Sequence, residues 1–369
     1  MRRTRIVAAA AALSLAATSA TLIFPSEAAA PQPTTLATDL VSPLTTAIDD
    51  DGTAYVTQNF AGLLSKVRPG KKPRTVYASS HGNEVGGVSV LHEKLVFTET
   101  ANGPDGFPVR AWVKWITPRG KVRTLADVRA YEDRRNPDGR FTYGVRGISS
   151  ECEEQWPVEE FGPATYRGLP DSHPYATLQT DQGITLVADA GMNAVLAISA
   201  HGRIRTLAVT PPVPVEMTPE LAGALGVPDC VVGMTYYGES VPTDIALTRH
   251  GRLLVLTEGG GLGEQLPLGA IHSLKLRTGK LTPWVDGLAT PTGLAVARNG
   301  DTYVAELFGG RISRIKRGTS TARTFAEVNL PAAVEWTRRG LYATVDALVG
   351  PSEEDPTIPP GGRLVRFGR

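Results

Sequence analysis

The chain has very little cysteine: two residues in 369. That excludes a disulfide-dense mini-scaffold and a multi-cysteine zinc module. It also lacks a surplus charge, since 38 Lys and Arg oppose 37 Asp and Glu. A protein that neutralises phosphates needs a basic excess, so no nucleic-acid partner is expected. Only one long apolar run exists, Ile6 to Phe24, which rules out a helical membrane bundle. No Gly-rich phosphate loop opens a helix, no G-x-S-x-G elbow occurs, and Ser, His and Asp suggest no readable triad. With 41% hydrophobic residues and a formal charge of +1, the composition is not that of a disordered chain.

What the sequence does have is 39 Gly and 28 Pro, without a collagen period. Such a chain reads as many short elements joined by tight turns. The first residues are read as an address. Arg2, Arg3 and Arg5 precede the Ala-rich run, and Ser26-Glu27-Ala28 offers a small-residue cleavage site, with Ala30 as a second choice. This is the layout of a secretory signal peptide over residues 1–28, leaving one domain over 29–369 with no membrane anchor after processing. Secretion gives the cysteines a meaning, because a lone pair in an oxidising compartment reads as a disulfide, here Cys152 with Cys230.

The body repeats. A short apolar strand, a Gly turn, a second strand and a further hairpin recur six times, with turns at Gly52, Gly183, Gly251, Gly300 and Gly340 among others. Each unit is a four-stranded meander that cannot bury both faces alone. Radial packing solves this, so the expected fold is all-β, a six-bladed β-propeller. The sixth unit lacks a fourth strand. Residues 34–40 supply it and close the ring, hiding two edges. With the insertions 128–173 and 209–240 set aside, the units run at roughly 43 residues, near a propeller blade's spacing. The first insertion shows no two successive hairpins, so it is not counted as a seventh blade.

In a meander blade the loops alternate between two faces. The hairpin turns share one face and are tight. The long segments 101–110, 128–173, 209–240, 259–269 and 346–361 share the other. Two segments of the insertions read as helices, one after the cap Asp127 and stopping at Asn136-Pro137, one opening at Thr218-Pro219 and ending at Gly226. Long loops on a rigid scaffold are where function concentrates.

Polar residues recur where the second strand of each blade ends: Gln58, Glu99, Asp189, Glu258 and Glu306, with Val345-Asp346 in the sixth. Asp244 opens an inner strand. These residues could turn or cap strands through hydrogen bonds. Alternatively Asp189, Asp244, Glu258 and Glu306 could hold calcium or another divalent cation through oxygen. His173 and Tyr175 stand at an inner-strand entry on the loop-bearing face, and with Asn193 complete the candidate binding set.

Several segments resemble ScyD/ScyE family proteins: Ser149-Ser150-Glu151-Cys152, residues 171–176, residues 187–193, Pro228-Asp229-Cys230 and Val241-Pro242-Thr243-Asp244. The resemblance implies an exported six-bladed propeller and brings no established reaction. Residues 291–315 are similar to NHL repeats and to the gluconolactonase/SMP-30 group. Two functions follow. One is a secreted, non-catalytic scaffold binding a small molecule, glycan or extracellular protein on the loop-bearing face. The other is a metal-dependent hydrolase or lactonase resembling the SMP-30 group, whose cation would polarise an ester carbonyl.

Overall fold

The computed structural model describes residues 32–117, 119–351 and 355–368; the expected signal segment, residues 1–28, lies outside them. Six antiparallel four-stranded blades form a ring. Blade 1 is Thr46–Ile48, Ala54–Gln58, Leu63–Val67 and Arg74–Ala78. Blade 2 is Glu84–Leu91, Lys94–Asn102, Pro108–Ile116 and Val122–Asp127. Blade 3 is Pro174–Gln179, Thr185–Asp189, Ala194–Ile198 and Ile204–Val209. Blade 4 is Val241–Leu247, Leu253–Glu258, Gly269–Lys275 and Lys280–Leu288. Blade 5 is Pro291–Val296, Thr302–Glu306, Arg311–Ile315 and Ala322–Glu327. Blade 6 is Val334–Thr337, Gly340–Val345 and Gly362–Phe367, completed by Pro33–Leu40. The closing strand runs antiparallel to the last one, with Pro33 opposite Phe367 and Leu40 opposite Gly362.

The strand sequences explain the ring. Successive side chains point to opposite faces of a sheet. Along Leu253–Glu258, Leu253 and Val255 pack toward blade 3, while Leu254 and Leu256 pack toward blade 5. A strand buried on both faces reads as a nearly continuous apolar run. The core is accordingly six apolar seams, one between each neighbouring pair of blades. The hairpin-turn glycines have positive φ. Gly202, at φ +77°, also lies so close to blade 2 that a Cβ would sit 2.3 Å from the Leu125 carbonyl oxygen.

The insertions hold more than the expected helices. The helix Val128–Arg135 is capped by Asp127, whose side chain accepts the Ala130 N–H, and ends at Asn136 in the left-handed region. The helix Pro219–Leu225 is capped by Thr218 and ends at Gly226, as its sequence predicts. In addition, the two insertions together build a seventh four-stranded sheet: Thr165–Arg167, Thr142–Val145, Thr235–Gly238 and Val213–Glu216, in that spatial order. It is not a blade, since the inner strands of the six blades contact one another in ring order without it. Its pairing is non-local, with Gly144 opposite Tyr237. Segment 101–110, read as a loop, is half hairpin strand, with the turn confined to residues 103–107.

Candidate functional site

Cys152 sits on a single helical turn, Ser150–Glu153, capped by the Ser149 hydroxyl. Cys230 lies in the 3-10 turn Asp229–Val231. They are disulfide-bonded across 78 residues, stapling one insertion to the other. Beneath the bond is a separate apolar core that includes Val145, Trp156, Met217, Ala222 and Val231. A pocket of about 440 Å³ opens beside this core, between the insertion sheet and residues 259–265. Trp156, Phe161, Met217 and Tyr236 give it apolar walls, and Tyr166 and Glu239 give it polar ones. The three glycines 259–261 form one side. A Cβ on Gly259 would lie 2.4 Å from the Leu268 Cβ, so the chain can pass here only as glycine.

Glu239 is fixed within the wall. Tyr166 donates its hydroxyl to Oε1 at 2.9 Å, and Asn193 Nδ2 donates to Oε2 at 3.1 Å. Burial raises the Glu239 pKa, against the lowering effect of these two bonds. Asn193 extends the network: its Nδ2 lies 3.0 Å from Asp138 Oδ2, which also accepts the Tyr143 hydroxyl at 3.0 Å. Of the pocket's residues the sequence singled out none. The insertions carry no repeat register, so nothing in sequence order says that Tyr166 and Glu239 meet.

His173, Tyr175 and Asp189 are brought together at the channel mouth. Asn59 Nδ2 donates to Glu84 Oε1 at 3.1 Å, and Glu84 Oε2 meets His173 Nε2 at 2.9 Å. The His173 backbone N–H and the Ser172 hydroxyl both donate to Asp189. The chain of contacts thus spans blades 1, 2 and 3. Burial opposes the His173 imidazolium, but Glu84, with Asp189 and Asp171 behind it, pushes the pKa up to about 9. Burial acts on Glu84 in the other direction and is outweighed by His173 and Asn59, so its pKa falls. Tyr175 stands edge-on to the His173 ring, and burial raises its hydroxyl pKa. Asp189, fully buried, also accepts the Met192 N–H, and burial pushes its pKa up to about 6.

The recurrent polar positions are largely struts inside blades. Gln58 Nε2 donates to Ser65, seven residues on. Glu306 accepts Ser313 at the same spacing, a bidentate Arg311 pair at 2.9 Å, and the Ala289 N–H. Glu99 is tied to Tyr77, Asn83 and Lys114, whose contacts outweigh burial and lower its pKa. Asp244 lines the central channel and accepts the N–H groups of Ile245 and Leu294, bridging blades 4 and 5. Burial lifts its pKa to about 7, and lifts the channel carboxyl of Glu335, missed in the sequence, to about 8 with help from Asp244. Glu258 is pushed up to about 7 by burial and by Glu264. Asp189, Asp244, Glu258 and Glu306 therefore do not converge. Among the described residues no three His, Cys, Asp or Glu side chains gather as a metal-ligand group.

Large apolar side chains are exposed mainly on the same face. Phe60, Phe107, Leu169, Phe308, Leu348 and Val349 all occupy its loops. Another cavity, about 640 Å³, opens at the opposite face among the exposed hairpin-turn arginines Arg249, Arg298, Arg338 and Arg339. Its rim is made of exposed charged side chains, whereas the insertion pocket combines apolar walls with anchored polar groups, the usual anatomy of a ligand site.

No protein-family model matches the sequence, and no curated protein does. Solved structures do resemble the fold. The PQQ-bound aldose sugar dehydrogenase of Streptomyces coelicolor is 13% identical, over 90% of this chain and 96% of that one, with a TM-score of 0.55. A luciferin-regenerating enzyme is 10% identical, over 92% and 96%, with a TM-score of 0.53. A catalytically inactive virginiamycin B lyase from Staphylococcus aureus, solved with quinupristin, is 13% identical over 91% and 98%, at 0.50. These likenesses show the propeller and carry no function across. Among the described residues no helix is long and apolar enough to cross a membrane.

Proposed function

We propose that this chain is a secreted, non-catalytic binding propeller of the ScyD/ScyE type. Its site is the pocket between the two insertions, and its ligand is a small molecule with an apolar body and a hydrogen-bond donor or cationic group. The pocket itself carries the reading: aromatic walls suit the body, and the anchored Glu239 carboxylate suits the donor. The exposed apolar loops on the same face and the disulfide that holds the walls support it. The four carboxylates that a lactonase would use are apart, with Glu306 and Asp189 already saturated by protein donors.

A fragment library of aromatic amines, screened by ligand-detected NMR, tests the proposal. Binding is expected in the wild type. Glu239→Gln should weaken it about tenfold, the value of one charge-assisted hydrogen bond. Tyr236→Ala should weaken it through lost wall area. Hydrolysis of simple lactones that requires an added divalent cation would favour the enzyme instead.

A further inference from the structure

The helix Val128–Arg135 covers a group of buried oxygen atoms that the protein itself leaves without partners. Glu132 and Asn136 stand four residues apart, on one side of the helix end. Glu132 is fully buried; the Asp171 backbone N–H approaches its carboxyl, but neither oxygen meets hydrogen-bond geometry. Asp138, 1% exposed, leaves Oδ1 unpaired, and Asn136 and Asn193 each leave Oδ1 unpaired. The atoms belong to one neighbourhood. Asn193 donates to Asp138. Asn136 Nδ2 donates to the Gly168 carbonyl at 2.9 Å. Gly168 in turn packs against Asp138 so tightly that a Cβ would lie 2.3 Å from Oδ1. Glu132 feels the charges of both Asp138 and Asp189.

We propose that a hard cation of the calcium class is bound here, by the carboxylates of Glu132 and Asp138 with the amide oxygens of Asn136 and Asn193. Two arguments favour a cation over trapped water. Every unpaired atom in the group is an acceptor, five in all, and one water donates only two hydrogens. The two carboxyls also lack a counter-ion: no ion pair among the described residues reaches Glu132 or Asp138, and burial raises the pKa of both. Arg129, the basic residue nearest in effect, is engaged with Asp133. Carboxylate, amide oxygen and water are the ligand types calcium takes, and two carboxylates with two amides leave room for waters. The site lies outside the channel. It would tie the start of the first insertion to the turn of blade 3 that bears Asn193. It is separate from the ligand pocket, and Asn193 links the two through its hydrogen bond to Glu239.

The test uses the full disulfide-bonded protein, stripped with chelator and reloaded. Calcium should raise the melting temperature saturably, and terbium should show emission sensitised by tyrosine, since the Tyr143 hydroxyl is bonded to Asp138. Both responses should be lost in Glu132→Gln and in Asp138→Asn, and kept in Glu335→Gln, which alters only the channel. Glu132→Gln should melt no lower than the metal-free wild type, because it replaces a carboxyl whose charged form burial and the neighbouring Asp189 and Asp138 disfavour. Should neither variant fold, one bound calcium per chain by elemental analysis of the reloaded wild type supports the site. An unchanged melting temperature with calcium or chelator, and no terbium emission, overturns it. So does a calcium response that survives in both variants.

Discussion

Single side chains in this propeller carry opposite electrostatic burdens. His173 and Glu84 stabilise each other as an ion pair at 2.9 Å. The His173 pKa is raised from 6.5 to about 9, so its contribution is complete below 6.5 and is lost as pH rises through 9. Glu84 is lowered from 4.5, so its contribution is lost only as pH falls below that value. Glu84→Gln should bring the His173 imidazole titration, followed by NMR, from about 9 back toward or below 6.5. A titration that stays near 9 would mean that Asp189 and Asp171 hold the charge alone. Glu335 has the reverse sign. Its pKa is raised from 4.5 to about 8, so the folded protein loses stability as pH rises through that interval. Glu335→Gln should therefore raise the melting temperature at pH 8 and change it little at pH 4.5. Glu306 is a third case. Alanine there leaves Arg311, Ser313 and the Ala289 N–H without their acceptor, which should cost about 2–4 kcal/mol in denaturant unfolding. At this scale the sequence was informative about position and not about partner. The recurrence of acidic residues at the second strand's end was visible. That Glu306 would face Ser313 and Arg311, and not the channel, depends on side-chain direction across a blade.

At the scale of elements, strands and helices differed in how much their sequences revealed. Inner blade strands were legible because they face two apolar seams, as Leu253–Glu258 does, and because Gly turns separate many strands from their neighbours. The two insertion helices were legible from their caps, Asp127 and Thr218. The insertion sheet was not. Its strands are three or four residues long, and its central pairing joins Thr142–Val145 to Thr235–Gly238 from the other insertion. No turn signal marks such a pair. The disulfide joins the two insertions that build this sheet, so its removal should act locally. Cys152→Ser with Cys230→Ser should destabilise by up to about 4–5 kcal/mol on chain-entropy grounds. Amide exchange should accelerate in the insertion sheet while the blade 4 and blade 5 strands stay protected. Uniform acceleration would show that the insertions and the ring unfold together.

For the molecule as a whole, closure is the central structural event. Pro33–Leu40 comes from the start of the chain and Gly362–Phe367 from its end, and the seam between blades 6 and 1 includes Ala37 and Leu40. Deleting residues 33–40 should expose the edge of the last strand and lower the melting temperature sharply, with self-association visible by size exclusion. An unchanged melt would mean that the ring does not depend on its fastener. The closed ring is a rigid base with two unlike faces: tight turns and arginines on one, and on the other apolar loops, the stapled insertions and the pocket. The six-fold repeat, and the gathering of long segments on one face, could be read from the sequence. Which of those segments would enclose a cavity could not, because the walls come from both insertions and from residues 259–265 at once.

That pocket can be addressed directly, because tryptophan marks both faces. Trp156 lines the insertion pocket and Trp336 lines the opposite mouth. The indole N–H signals of the five tryptophans, assigned by Trp156→Phe and Trp336→Phe, can be followed by NMR while an aromatic amine such as phenethylamine is titrated. Saturable movement of the Trp156 signal with Trp336 fixed, abolished by Tyr236→Ala, is the predicted result. Movement of Trp336 with Trp156 unchanged would contradict the assignment of the ligand site to the insertion face.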